Sequence, residues 1–222
     1  MPDLIFDPRL REHIRAHLNH FERRVHEMDA TTNAAVAVTI VDYREDPHID
    51  GLAFSPASNR QAAVILTRRA ATLKHHAGQW ALPGGRMEDG ERAVDTVLRE
   101  LAEEVGVHLS ETAVIGRLDD YSTRSGFTIK PVVLWGGTDY RLRPNPAEVA
   151  SIHLIPLAEF MRPDAPILEP IPESDHPVLK MPVGHGFIAS PTAAILYQFR
   201  EVALCGRSRR VAHYEQPYFA WH

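Results

Sequence analysis

Cysteine is almost missing from this chain. Cys205 stands alone among 222 residues, so neither an intramolecular disulfide nor a cysteine-based zinc site can form. That pattern suits a reducing cytoplasm. Long apolar runs are also missing. None approaches the ~18 residues that a membrane-spanning helix needs, which excludes such a span. Met1 to Phe21 carries Asp, Glu, Arg and His throughout and lacks the apolar core of a signal peptide. Ala220-Trp221-His222 is not the Ser-Lys-Leu peroxisomal address. Positive charge is not in excess: the formal net charge of −5 gives no basic footprint for nucleic acid. A polyanionic substrate would therefore need local cations or bound metal rather than a global field. What the chain does have, 44% hydrophobic and 24% charged residues, fits one generous globular domain.

Asp7 before Pro8 reads as an N-cap with proline at the first helical position. Leu10, Ile14, Leu18, Phe21 and Val25 recur at helical spacing and predict a helix of about five turns. Residues 1–30 thus form an N-terminal helical extension, expected to pack on a main domain of residues 31–222 that includes the C-terminal helix and tail. Ala34 to Tyr43 and Ala62 to Thr67 read as buried strands, separated by a loop with Pro47 and Gly51. Residues 68 to 90 read as a long basic, Gly-rich connection without periodicity. Glu91 to Val105 is a strong helix stopped by Gly106. Val114 to Leu118, Phe127 to Trp135 and Val149 to Ile155 read as further strands. Ten of the 17 prolines fall between Pro144 and Pro191, which predicts a loop-rich third with short elements. Ser190-Pro191 opens a last helix with Ile195, Leu196, Phe199 and Val202 on one side and Gly206 as its stop. No repeat of fixed period is present. The class is mixed α/β.

The most informative stretch runs from Gly84 to Val107. At about 100° per residue, Glu100, Glu103 and Glu104 cluster within roughly a third of the helix circumference. Ala93, Val94, Val97, Leu98, Leu101 and Val105 occupy the opposing side, so the acidic face reads as solvent-side. Three crowded carboxylates repel one another unless a cation sits among them, and hard oxygen ligands of this kind suit Mg²⁺ or Mn²⁺. A glycine-rich loop feeding the helix lets backbone approach a ligand closely.

The spacing is specific. Gly85, five residues, Glu91, seven residues, then Arg99-Glu100-Leu101-Ala102-Glu103-Glu104-Val105-Gly106-Val107 resembles the Nudix box at every constrained position. Seven fixed residues at frequencies of ~7% or less make a chance match on the order of 10⁻⁸ per starting position. The resemblance implies an α/β/α sandwich of mixed sheet with a loop-helix-loop catalytic motif. It implies metal-dependent cleavage of a nucleoside diphosphate linked to another moiety. Glu100 and Glu104 are then the expected metal ligands, with Glu103 beside them as a further ligand or base. The Gly85 carbonyl can complete the coordination, and Glu91 with Arg99 braces the loop against the helix. A base on a later loop is a further alternative, and Glu148 is one candidate.

Upstream, Ile65-Leu66-Thr67-Arg68-Arg69-Ala70, three residues, Lys74, three residues, Gly78, three residues and Leu82-Pro83-Gly84-Gly85 resembles the signature of the coenzyme A pyrophosphatase branch. Lys74 stands where that pattern has Arg, and Leu82 where it has Phe. Arg69, Lys74, Arg68 and Gly84 are the substrate-binding residues this resemblance implies, the cations as phosphate contacts. The products would be 3′,5′-ADP and 4′-phosphopantetheine. ADP-ribose, NADH or a nucleoside triphosphate are alternative substrates, and a non-catalytic binding module is the alternative outside enzymes. His75 and His76 read as loop residues, Trp80 as a core aromatic that could also stack on adenine, and Cys205 as a small, buried or half-buried apolar residue. Asp119-Asp120 reads as the start of a strand. The expected partner is a small-molecule substrate, with neither nucleic acid nor membrane; a homodimer stays open.

Overall fold

The computed structural model describes residues 3–26, 32–44, 49, 51–52, 60–73 and 77–217. Its first helix, α1 (Pro8–His20), begins where local chemistry puts it: the Asp7 carboxylate accepts the Leu10 N–H at 2.8 Å. The helix is 13 residues long, shorter than the five turns expected. Phe21 turns to extended backbone and closes it, and Val25 is 53% exposed, so the apolar spacing outruns the helix. Leu10, Ile14 and Leu18 are buried in one core with the C-terminal helix.

Eight strands form one sheet: β1 (Asn33–Asp42), β2 (Ala62–Arg69), β3 (Trp80–Ala81), β4 (Gly84–Arg86), β5 (Val114–Arg117), β6 (Tyr121–Ser122), β7 (Thr128–Gly137) and β8 (Val149–Pro156). β1 and β7 run parallel while the other pairs are antiparallel, so the sheet is mixed. Strand alternation sorts the core into two layers. Val64 and Leu66 of β2 face α1 and the C-terminal helix α4 (Thr192–Phe199), while Ala63 and Ile65 face the acidic helix α2 (Ala93–Val105). The result is an α/β/α sandwich with a mixed sheet, the fold the box implies. Among the described residues no helix is long and apolar enough to cross a membrane.

Three local expectations are corrected. The stretch 68–90 is not one irregular connection: β2 runs on to Arg69, and β3 and β4 add to the sheet. Strands of two and three residues carry no periodicity; their pairing with β2 and β1 defines them. The Pro-rich third is not loop-rich either. Beyond the short helix α3 (Leu157–Phe160) it builds a second, antiparallel sheet of β9 (Ile167–Ile171), β10 (Ser174–Val183) and β11 (Gly186–Ala189). Its prolines sit where strands tolerate them: Pro170 is on an edge strand, and Pro177 falls in a break of register between Ser174 and Val178. Finally, α4 is buried on every side rather than one, and continues through a π-helical turn at Arg200–Leu204.

Asp119 and Asp120 do more than lead into β6. The Asp119 carboxylate accepts the Arg24 N–H at 2.7 Å, the Arg210 guanidinium at 2.6 Å and the Gln198 amide at 2.8 Å. Asp120 accepts the His26 N–H at 3.1 Å. These two buried carboxylates tie the segments after α1 and after α4 to the sheet.

Candidate active site on the acidic helix

Two glycines bring backbone against the carboxylates of α2. Gly84 has φ +156, and a Cβ there would lie 2.3 Å from the Ala35 carbonyl oxygen, so only glycine lets β4 lie on β1 in this way. Its N–H donates to Glu104 Oε2 at 3.0 Å. A Cβ on Gly85 would lie 2.1 Å from Glu100 Oε1, so that backbone abuts the second carboxylate directly. At the far end of α2, Gly106 takes the left-handed conformation at φ 73 and returns its N–H to the Ala102 carbonyl.

Arg99 and Glu91 form the hub of the loop. Arg99 Nε donates to Glu91 Oε1 at 2.9 Å, and further N–H groups reach Glu100 at 2.9 Å, Glu103 at 3.2 Å and the Arg86 carbonyl at 3.2 Å. Glu91 also accepts the Glu88 N–H at 3.0 Å and the Thr96 hydroxyl at 2.7 Å. The Arg99 guanidinium, opposed by some burial and helped by these donors, pulls the Glu91 carboxyl down to about 2. Arg99→Met should therefore release both the loop and the Glu100 side chain. A loss of at least about 1–3 kcal/mol of stability is expected, read from denaturant unfolding, together with a drop in turnover.

The acidic face is not solvent-side. Glu100 and Glu104 are only 8% and 5% exposed. Burial pushes Glu104 up to about 7, with Glu100 and Glu148 adding repulsion against the Gly84 N–H and the positive charge of Arg69. Burial likewise raises Glu100, against the pull of Arg99. Glu103 is set apart: its side chain is 56% exposed and is drawn to Arg99. The carboxylate that joins Glu100 and Glu104 is Glu148, and one oxygen of each of the three lies within 4.8 Å of the others.

Glu148 reaches the pair through the loop before β8. The Arg143 N–H donates to the Val105 carbonyl at 2.8 Å and the Asn145 N–H to the Glu104 carbonyl at 2.9 Å, pinning the loop to the end of α2. The Glu148 carbonyl accepts the Ala70 N–H at 2.8 Å, which fixes the same turn to the end of β2. The sequence offers only a carboxylate after an Asn-Pro turn; the pairing of Arg69 with Val149 brings it to α2. Three hard carboxylate oxygens, two of them on buried side chains whose charge is costly, form a donor set that fits a divalent cation.

The upstream cations separate. Arg69 lies near enough to Glu104 to stabilise its charge, and its Nε is buried with no hydrogen-bond partner. Arg68 instead stacks on Trp80, 4.0 Å from the ring centroid, on the layer that α1 and α4 share. Trp80 is half-buried and packs against that core. Lys74, His75 and His76 lie outside the described residues. Cys205 is a free, half-buried thiol.

A family model described as NUDIX domain matches residues 52–174, more than half of the chain. A curated relative from Photorhabdus laumondii, the uncharacterized Nudix hydrolase NudL, is 38% identical over 117 residues, covering 47% of this chain and 63% of that protein. Its counterpart in Pectobacterium atrosepticum is 41% identical over 97 residues, 43% of this chain and 50% of that one. The match thus spans between half and two thirds of the length of those two relatives. Among solved structures, a MutT/nudix family protein from Enterococcus faecalis aligns with 80% of this chain and 63% of its own, at TM-score 0.48 and 19% identity. A MutT protein from Methanosarcina mazei aligns with 64% and 83%, at TM-score 0.42 and 17% identity. With the box of the family intact on α2 and the family model spanning most of the sheet, this chain belongs to the Nudix family.

Proposed function

We propose that this chain is a metal-dependent pyrophosphohydrolase that cleaves the diphosphate bond of coenzyme A or its derivatives, giving 3′,5′-ADP and 4′-phosphopantetheine. The observation that carries the hydrolase reading is the carboxylate trio of Glu100, Glu104 and Glu148, with Arg69 and the Gly84–Gly85 backbone beside it. The coenzyme A reading rests on the signature from Ile65 to Gly85 that leads into the same loop.

The three carboxylates would hold Mg²⁺ or Mn²⁺, which supplies neutralisation of the diphosphate and acidification of an attacking water. The chain's own groups do the positioning. Gly84 N–H orients the Glu104 carboxylate, and Arg99 orients Glu100 while its charge reaches Glu103. Gly85 sits against Glu100, and its carbonyl is the further oxygen that the resemblance to the box implies. Glu103, solvent-facing and set apart from the trio, is the group that accepts the proton released by the water. Arg69 brings positive charge beside the carboxylates, where a charge-assisted contact to the phosphoryl oxygens is strongest.

The test is a hydrolysis screen of coenzyme A, dephospho-coenzyme A, ADP-ribose and NADH with Mg²⁺, with the products identified by mass. Coenzyme A should be cleaved best, and dephospho-coenzyme A with kcat/KM lower by about ten- to hundredfold, the worth of one charged contact to the 3′-phosphate. Arg69→Ala should lower both alike, because Arg69 faces the carboxylates and therefore the shared diphosphate. A clear preference for ADP-ribose would overturn the coenzyme A reading and leave the hydrolase reading standing.

A further inference from the structure

Arg68 points away from the carboxylates, and its surroundings are built. The guanidinium carbon lies 4.0 Å over the Trp80 ring centroid, and Trp80 in turn meets the His153 ring edge-on at 5.0 Å. One Arg68 N–H donates to the Gly78 carbonyl at 2.9 Å. No carboxylate pairs with Arg68 among the described residues. Beside this stack opens a cavity of about 390 Å³, bounded by Arg68, Trp80, Ser151, His153 and His185, and no acidic side chain is among its described lining. Ser151 and His153 are locked together by a 2.7 Å hydrogen bond, and the turn between β10 and β11 carries His185 over the opening.

The physics of that arrangement is directional. Stacking on an indole fixes the plane of a guanidinium but leaves the N–H groups at its edge, so the fork is pre-organised for a planar or tetrahedral anion. Partial burial lowers the pKa of Arg68. The His185 imidazole and the hydrogen-bonded Ser151–His153 pair line the same space.

We infer that the cavity beside the Arg68–Trp80 stack is an anion site for a phosphomonoester group, on the opposite layer of the sheet from the carboxylate trio. It does not rest on the coenzyme A reading. The phosphomonoester can belong to a nucleotide, such as the 3′-phosphate of a bisphosphate, or be free inorganic phosphate.

The experiment is calorimetric titration of the full chain in excess chelator with inorganic phosphate, 3′,5′-ADP and 5′-AMP, repeated on Arg68→Met and Arg68→Lys. Chelation silences the carboxylate trio as a phosphate site. At least about tenfold weaker binding is expected in Arg68→Met. Should Arg68→Met fail to fold, Arg68→Lys keeps stem and charge but loses the fork, and an intermediate loss of several-fold is expected. Tight binding of 3′,5′-ADP with weak binding of phosphate and 5′-AMP would identify a nucleotide source. Equal affinity for all three, still dependent on Arg68, would identify free phosphate. Absence of binding, or binding that Arg68→Met and Arg68→Lys leave unchanged, overturns the site. Neither result bears on whether coenzyme A is hydrolysed, so this inference and the proposed function fail separately.

Discussion

Glu104→Gln is expected to lower turnover by roughly three orders of magnitude while making the metal-free protein more stable at pH 8. The two effects have one cause. Glu104 is buried, and its ionised form is stabilised by the Gly84 N–H but opposed by burial, Glu100 and Glu148. Its folded pKa of about 7 lies above the ordinary 4.5, so between those values the folded state holds a proton that the unfolded state has lost. The stability this contributes is complete below pH 4.5 and is lost as pH rises through about 7. Metal-free wild type should therefore lose up to about 3 kcal/mol between pH 5 and pH 8 from this group. Glu100, also raised by burial, adds in the same direction. His213 runs opposite: its pKa is lowered by burial, so its contribution fades as pH falls. The quantity to measure is thus the difference between wild type and Glu104→Gln in denaturant unfolding at each pH. The variant should gain on wild type as pH rises. Parallel pH profiles would contradict the buried-charge account of Glu104.

Chelation of divalent cations is expected to abolish hydrolysis outright and to lower the melting temperature most at alkaline pH. At pH 8 Glu104 ionises beside Glu100 and Glu148, one oxygen of each lying within 4.8 Å of the others, and a divalent cation offsets the repulsion that Arg99, Arg69 and the Gly84 N–H leave. A ligand at a hundredfold its Kd stabilises the folded chain by about 2.7 kcal/mol, which for a domain of this size raises Tm by several degrees. Thermal melts with excess chelator, Mg²⁺ or Mn²⁺ at pH 5 and pH 8 check this. The metal-dependent rise should be larger at pH 8, because at pH 5 Glu104, pushed up to about 7 by burial, holds a proton that the metal must displace. Full activity in excess chelator would remove the metal from the account.

The legible parts of this chain were those set by local chemistry. The Asp7-Pro8 cap, the periodicity of α2 and its Gly106 stop are written within a few residues, and the apolar runs of β1, β2, β7 and β8 are long enough to identify. Less legible were elements that exist only through partners. β4 has three residues and is a strand because Gly84 and Gly85 can lie against Val36 and Ala35. Prolines concealed the second sheet because their tolerance depends on edge and register, which composition does not carry. In the site, a helical wheel correctly grouped Glu100, Glu103 and Glu104 by angle. It could not say what covers them. The glycine loop buries Glu100 and Glu104 and leaves Glu103 in solvent, and the β2–β8 pairing substitutes Glu148 as the third neighbour.

That substitution is the most direct point on which to test the site. Mn²⁺ binding, followed by the loss of the free-ion electron paramagnetic resonance signal, should be measured for wild type, Glu148→Gln, Glu104→Gln and Glu103→Gln. Glu104→Gln and Glu148→Gln should each weaken Mn²⁺ by about tenfold or more, since each removes a charged oxygen from the trio. Glu103→Gln should bind Mn²⁺ as wild type does, while its kcat falls by about 10²-fold or more as expected of a lost proton acceptor. Weakened Mn²⁺ binding in Glu103→Gln together with unchanged binding in Glu148→Gln would contradict the account.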